Sequence, residues 1–204
     1  MSSVAVFRDT YPVDIGSQRR DLPLVPVADQ VAISLLMTID VPLSFVRTAG
    51  EELAELLGES RPEAIVTAAT LGIPIATEVA RALGHDEIVV LQKTAKIHLA
   101  DAFVEPLSSI TTDGEQALRL DRARVPVIAG RRIAFVDDVI ATGGSVVAAL
   151  RLIRAGGGDV VTIGSILTEG ADWQDRLDED APLVRSLGTI PVFRSTEGGW
   201  TPMH

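Results

Sequence analysis

Cysteine is absent from the 204-residue chain, and its absence excludes disulfide scaffolds, zinc ribbons, thiolate nucleophiles and iron–sulfur ligation together. Long apolar runs are missing as well, since no stretch reaches the ~18 consecutive apolar residues of a membrane-spanning helix. Residues 1–4 lack the basic and apolar regions of a signal peptide. We therefore expect a cytoplasmic protein that makes no contact with a membrane.

Positive charge is scarce. The chain has 18 Lys and Arg against 28 Asp and Glu, which gives a formal net charge of −10. Such a surface is unsuited to coating the phosphates of a nucleic acid or an anionic membrane. No nucleic-acid partner is expected, and any phosphate bound by this protein must be held at a local site.

Two common nucleotide-binding motifs are also missing. The chain contains no Gly-x-x-x-x-Gly-Lys-Ser/Thr segment, which argues against a P-loop nucleotide hydrolase. It contains no Gly-x-Gly-x-x-Gly segment either, which removes the usual dinucleotide-binding fingerprint.

Hydrophobic residues make up 47% of the chain, and in its middle they form short apolar runs that alternate with amphipathic stretches. This alternation is typical of βαβ units on a parallel sheet. The pattern predicts an α/β fold with flanking helices. The predicted strands cover residues 63–67, 87–91, 133–136 and 160–167, and the predicted helices cover 44–57, 73–83 and 144–154.

Three regions interrupt this rhythm. Residues 1–42 are rich in proline and short β-like pieces, and we interpret them as a small cap, or hood, over a core domain at 43–195. Residues 97–130 separate two strands without a convincing helix, and loops of that length are typically functional lids. Residues 196–204 are predicted to form a loose C-terminal tail.

The most informative segment is the strand-to-helix turn that carries Asp137, Asp138, Thr142, Gly143 and Gly144. Glycines let backbone N–H groups approach an anion closely, and a helix N-terminus adds unpaired donors and partial positive charge. Ser145 supplies a further hydroxyl and could cap the helix. Two carboxylates beside a phosphate make sense if the ligand also brings hydroxyl donors or a metal ion. The alternative is an ordinary corner whose Asp pair serves solubility.

The segment Asp-Asp-Val-Ile-Ala-Thr-Gly-Gly-Ser resembles the phosphoribosyl-pyrophosphate (PRPP) motif of the type I phosphoribosyltransferases, and within them most nearly the adenine enzymes. The resemblance covers roughly residues 50–170 and implies a Rossmann-like fold with a hood and a flexible lid. It implies that Asp137 and Asp138 hold the ribose hydroxyls, and that Mg²⁺ accompanies the diphosphate, held mainly by PRPP. It further implies that the 5′-phosphate is bound by Ala141, Thr142, Gly143, Gly144 and Ser145.

The chain has two lysines, Lys93 and Lys96, which follow a predicted strand directly. They match the family's Arg-Lys-x-x-Lys element, whose charges meet the diphosphate leaving group, although Gln92 replaces the arginine. The family's diphosphate loop corresponds to Ala69, Thr70, Leu71 and Gly72. Ala69 and Leu71 depart from the family's polar residues there, which leaves binding to backbone N–H groups. The alternative for the two lysines is a solvated surface pair.

The resemblance also implies that the hood takes part in base recognition. Arg20 and Asp21 lie in the predicted hood, while Leu167, Thr168 and Glu169 end the fourth predicted strand at the edge of the sheet where ligands bind. We predict that these five residues border the base pocket. The family's lid glutamate corresponds to Thr112 here, with Asp113 and Glu115 nearby, so a general acid in the lid is an open question.

Two functional hypotheses follow from the resemblance. In the first, the protein is a homodimeric enzyme of purine salvage that transfers 5-phosphoribose from PRPP to a ring nitrogen of a nucleobase, adenine first, with release of diphosphate. In the second, the protein is a regulator that keeps the PRPP pocket as a sensor without turnover. The apolar Ala69 and Leu71 favour the second hypothesis, whereas the acidic charge does not favour a nucleic-acid-binding regulator.

Overall fold

The computed structural model describes residues 5–95, 101–107 and 116–203. In chain order the elements are β1 (Thr10–Ile15), β2 (Gln18–Ala28), β3 (Val31–Ser34), α1 (Leu43–Gly58), β4 (Ala64–Ala68), α2 (Gly72–Ala82), β5 (Ile88–Leu91), β6 (Ala102–Pro106), β7 (Ala117–Asp121), α3 (Val125–Ile128), β8 (Arg132–Ile140), α4 (Gly144–Ala155), β9 (Asp159–Glu169), α5 (Asp172–Leu177), β10 (Val184–Ile190), β11 (Val192–Thr196) and β12 (Gly199–Met203). No helix in these residues is long and apolar enough to cross a membrane.

The central sheet is parallel throughout, with the strand order β10-β9-β8-β4-β5. Helices cover both faces. On one face Phe135 packs in a cluster with Leu150 of α4, and on the other Val136 packs with Leu53 of α1 and Ile75 of α2. Successive residues of a strand point to opposite faces, so β8 feeds both layers of the core. The predicted α/β fold with flanking helices is confirmed.

A second sheet, which we call the hood sheet, is antiparallel and has the order β1-β2-β3-β11-β12. It joins both ends of the chain, because Phe7 and Trp200 exchange backbone hydrogen bonds with N···O distances of 2.8 and 2.6 Å. The prediction of a loose tail at 196–204 is therefore wrong for residues 196–203. The physical reason is burial, since Trp200 packs with Phe7, Tyr11 and Phe193 in a small aromatic core.

The region predicted as a long lid loop, residues 97–130, is more regular than expected. In its described parts, 101–107 and 116–130, β6 and β7 form an antiparallel hairpin, and a 3-10 turn at Arg122–Arg124 leads into α3. Leu118 and Leu120 of β7 are fully buried against the α4 face of the sheet. This burial explains why the arms of the hairpin are ordered strands.

Candidate active site

Asp137 and Asp138 lie inside β8 rather than just beyond it. The strand was predicted to end at residue 136, but its pairing with β9 continues through Asp137–Ser165 to Ile140–Thr168. The neighbouring strand β4 pairs with β8 only as far as Val136. The two carboxylates are thus fixed by the ladder on one side, while the β4 side is open to the turn that enters α2.

The turn that follows β8 ends at Gly143, which precedes α4 with a φ of +76°. Any other residue would be strained in this left-handed conformation. A Cβ at this position would also lie 2.6 Å from Leu177 Cδ1. Ser145 was predicted as a possible helix cap, but no side chain caps α4, because Ser145 already lies within its first turn. Ser145 instead lines the cavity in front of the helix.

One cavity of about 180 Å³ brings the separately predicted segments together. It lies at the carboxyl ends of β4, β5 and β8, which meet at one edge of a parallel sheet. Its lining is Ala69, Thr70, Leu71, Lys93, Asp137, Asp138, Val139, Ile140, Ala141, Thr142, Gly143, Gly144, Ser145 and Val146. Val139, Ile140 and Val146 were not predicted as site residues, although the first two lie within the motif itself. Lys96 lies outside the described residues, as do Thr112, Asp113 and Glu115.

The loop between β4 and α2 is anchored at both ends. The Ala69 N–H donates to the Leu91 carbonyl of β5 at 2.9 Å, and the Ala69–Thr70 peptide bond is cis. At the other end the buried Thr38 hydroxyl donates to the Leu71 carbonyl at 2.6 Å. Thr38 belongs to the segment that connects the hood sheet to α1, and nothing in the local sequence pattern marks it. The contact ties the hood directly to the cavity.

Gly72 does not line the cavity but backs it. A Cβ at Gly72 would lie 2.4 Å from Thr67 Oγ1 and 2.5 Å from Asp137 Oδ1. Only a residue without a side chain allows the first turn of α2 to pack this closely against the carboxylate. Gly72 therefore determines how near the N-terminus of α2 lies to Asp137.

The electrostatics of the acidic pair reflect its burial. Asp137 is 9% exposed, and burial, followed by the charge of Asp138, raises the pKa of Asp137 well above its ordinary value. Burial also raises the pKa of Asp138. The positive charge of Lys93 acts in the opposite direction on both groups. Donors or cations that enter the cavity will therefore favour the ionised carboxylates, as expected for a site that binds a polyhydroxyl ligand.

The sequence model of one family, described as "Phosphoribosyl transferase domain", matches residues 47–187, which include every lining residue of this cavity. The chain belongs to this family. As a phosphoribosyltransferase it is a pentosyltransferase enzyme that uses PRPP, and the resemblance found from the motif is confirmed.

Individual phosphoribosyltransferases support the same assignment. The chain is 27% identical to an adenine phosphoribosyltransferase of Gluconobacter oxydans over 87% of this chain and 94% of the relative. It is 25% identical to a xanthine phosphoribosyltransferase of Laribacter hongkongensis over 76% and 80%. The fold is similar to that of adenine phosphoribosyltransferase from Rhodothermus marinus, with a TM-score of 0.66, 23% identity and coverage of 82% and 93%.

The five residues predicted for the base pocket are not gathered around the main cavity of this phosphoribosyltransferase. Arg20 and Asp21 line a separate cavity of about 350 Å³ in the hood, together with Met37 and Asp40. Leu167 and Thr168 are buried within the sheet. Glu169 is half-buried at the end of β9, next to the loop that starts at Ala141. Within the described residues, the hood and the sheet edge thus supply separate candidates for base contacts.

Glu169 carries a testable pH dependence, because burial raises its pKa from 4.5 to about 7. Its ionisation is therefore less favourable in the folded state than in the unfolded state, and stability falls as the pH rises from 4.5 towards 7. Glu169→Gln removes this cost. We expect the variant to melt roughly 2–6 °C above the wild type at pH 8, after allowance for solvent screening, and nearly together with it at pH 5.

Melting curves from pH 5 to pH 8 test this expectation, with Glu55→Gln on the exposed side of α1 as the matched control. The control should follow the wild type at every pH. A Glu169→Gln curve parallel to the wild type over the whole range would show that the Glu169 carboxyl titrates normally.

Proposed function

We propose that this phosphoribosyltransferase transfers the 5-phosphoribosyl group of PRPP to a ring nitrogen of a purine, adenine first, in nucleobase salvage, and releases diphosphate. The single observation that carries the site assignment is that three segments distant in sequence line one cavity. They are the acidic pair with its phosphate loop, the loop after β4, and Lys93. The names of the similar enzymes support a purine as the acceptor.

In the proposed complex the backbone N–H groups and hydroxyls of residues 141–145 bind the 5′-phosphate at the N-terminus of α4, where the helix dipole favours an anion. Asp137 and Asp138 accept hydrogen bonds from the ribose 2′- and 3′-hydroxyls. The diphosphate lies against the main chain of residues 69–72 and the ammonium of Lys93, and Lys96 is proposed to add a second charge. One ligand can contact these groups together, since all but Gly72 and Lys96 line the same cavity.

Mg²⁺ fits this arrangement as a companion of PRPP. No cluster of three or more His, Cys, Asp or Glu side chains that could hold a metal ion occurs among the described residues, so the diphosphate and ribose oxygens would supply most of its ligands. When bound, the ion would neutralise charge on the leaving group. The chain's own part is to fix the ribose through the acidic pair and to hold the lysine charge against the diphosphate as the C1′ bond stretches.

Gly143→Ala tests the phosphate loop. The left-handed conformation costs alanine ~1–2 kcal/mol of conformational free energy. The new Cβ would also clash with Leu177, so the loop must shift. We expect the melting temperature to fall by at least ~3 °C and PRPP affinity to fall by at least about tenfold. Calorimetric melting and titration with PRPP measure the two effects.

Gly130→Ala is the matched control, because Gly130 has a φ of +71° but no atom lies within 4 Å of a Cβ placed there. It should lose stability through backbone strain alone and keep its affinity for PRPP. Equal PRPP affinities in the two variants would contradict the assignment of the loop.

The base acceptor is tested by turnover. The protein is incubated with PRPP, Mg²⁺ and adenine, guanine, hypoxanthine, xanthine or orotate, and both nucleotide and diphosphate are measured. We expect the highest kcat/KM with adenine. Highest turnover with xanthine or another base would replace the proposed acceptor. Stabilisation by PRPP without product from any base would support the sensor hypothesis instead.

Two further proposals concern the setting of the enzyme. We propose a homodimer, in which Leu43, 86% exposed at the start of α1, and Ile39, 56% exposed and four positions earlier in the sequence, contribute apolar surface to the contact. A cytoplasmic location remains a prediction from the sequence.

A further inference from the structure

Lys93 lies beyond the paired part of an edge strand. The ladder between β4 and β5 ends at Ala68–Leu91, and β5 is the last strand of the central sheet. The Lys93 side chain is exposed, yet it lines the cavity and its charge acts on both carboxylates. The sheet itself therefore does not hold the main chain of Lys93, although this residue lines the cavity.

Arg119 of β7 supplies the hydrogen bonds that hold the main chain at Gln92 and Lys93. Its backbone exchanges two hydrogen bonds with Gln92, each with an N···O distance of 2.9 Å. Its guanidinium Nη1 then donates to the Lys93 carbonyl at 2.8 Å and to the Ala117 carbonyl at 3.1 Å. Among the described residues, no other side chain donates a hydrogen bond to the main chain of Lys93.

We propose that Arg119 is a positioning residue, which fixes the Lys93 backbone so that the Lys93 ammonium meets the diphosphate. The proposal rests on the proposed role of Lys93. A guanidinium presents several donors in one rigid plane, and a hydrogen bond from a charged donor is about twice as strong as a neutral one. By bridging two carbonyls, Arg119 connects the end of β5 to the start of β7. Small displacements of a group that stabilises the transition state have large effects on rate.

Arg119→Gln tests the proposal against a matched control, Arg124→Gln. Arg124 also reaches β5, where its Nη2 donates to the Ile88 carbonyl at 3.4 Å and to Glu87 at 2.8 Å, but at the end of the strand far from the cavity. We expect Arg119→Gln to lower kcat about 10-fold to 30-fold and Arg124→Gln to stay within about twofold of the wild type. Arg119→Lys, which keeps one charged donor, should recover part of the rate.

A double-mutant cycle separates positioning from a general structural role. If Arg119 acts through Lys93, adding Arg119→Gln to Lys93→Ala should change kcat by less than about twofold. The proposal would be overturned if the kcat losses of the two single variants multiplied in the double variant, or if Arg119→Gln had the kcat of the wild type. If Arg119→Gln fails to fold, the same cycle with Arg119→Lys gives the answer.

Titration with Mg²⁺-diphosphate keeps this inference separate from the choice of base. We expect Arg119→Gln to weaken diphosphate binding, by a smaller factor than Lys93→Ala does, and Arg124→Gln to leave it unchanged. Failure to convert any base in the panel would refute the proposed transfer reaction, but it would leave this binding result unaffected. Unchanged diphosphate affinity in Arg119→Gln, beside a loss in Lys93→Ala, would refute the role of Arg119.

Discussion

Asp137→Asn and Asp138→Asn are each expected to abolish the stabilisation of the folded protein by PRPP. Asparagine has nearly the same shape as aspartate, but its amide lacks the charge and one of the acceptor oxygens that the ribose hydroxyls need. Hydrogen bonds to charged groups contribute about 1.5–3 kcal/mol each, which corresponds to roughly 10-fold to 150-fold in affinity. Thermal-shift measurements and calorimetric titration with PRPP give the result directly.

The unliganded variants provide an internal check on this expectation. Burial raises the pKa of Asp137, so the ionised carboxylate destabilises the fold at neutral pH, and Asp137→Asn removes that cost. The free variant should therefore be at least as stable as the wild type while binding PRPP worse. Asp159→Asn, on the exposed opposite end of β9, serves as the control and should change neither property. Unchanged PRPP affinity in both active-site variants would refute the assignment of the ribose hydroxyls.

The parallel sheet could be predicted because its strands are buried on both faces. All five residues of β4 are buried, and such strands are continuous apolar runs rather than alternating patterns. The apolar periodicity likewise predicted α1, α2 and α4, but not the short helices α3 and α5. The family resemblance implied that these segments bind one ligand, and the topology explains why they share a cavity. Ala69 and Lys93 follow β4 and β5, Asp137 lies in the last part of β8, and the carboxyl ends of parallel strands meet at one edge of the sheet.

Contacts between distant segments could not be predicted in this way. β8 continues through the acidic pair because β9 pairs with it as far as Ile140, which no local pattern in residues 133–140 reveals. The final strand pairs with Phe7 at the other end of the chain. Without these distant partners, which leave Trp200 only partly exposed, the segment has the composition of a loose terminus.

The residues predicted for the base pocket depend even more on contacts between segments distant in sequence. Arg20 lies in β2 and its guanidinium stacks over the ring of Phe45, with 4.8 Å between the guanidinium carbon and the ring centroid. This contact depends on how the hood sheet docks on α1. Thr38, which ties the hood to the Leu71 carbonyl, lies in a segment without any motif. The positions of Arg20 and Thr38 thus depend on how the hood sheet docks, whereas the residues proposed for the ribose and the 5′-phosphate lie on one strand and its turn.

Lys93→Ala is expected to slow turnover far more than it weakens binding of ribose 5-phosphate. Lys93 lines the cavity with the acidic pair. In the proposed complex the charge of its ammonium meets the diphosphate, whose negative charge grows as the bond to C1′ breaks. Loss of one such preorganised group typically lowers kcat about 10²-fold to 10³-fold. Ribose 5-phosphate has no diphosphate, so its affinity should change by less than about threefold.

Initial rates at saturating PRPP and titration with ribose 5-phosphate separate the two effects. Loss of an interaction made only in the transition state lowers kcat without changing the affinity for the phosphoribosyl part of the substrate. Arg131→Ala is the control for loss of a positive charge, since Arg131 is exposed just before β8, at the other end of the sheet. Equal losses of kcat and of ribose 5-phosphate affinity in Lys93→Ala would mean that Lys93 supports the sugar site as a whole. Stabilisation of the leaving group would then depend on Lys96, Mg²⁺ and the main chain of residues 69–72, where Ala69 and Leu71 offer no polar side chain.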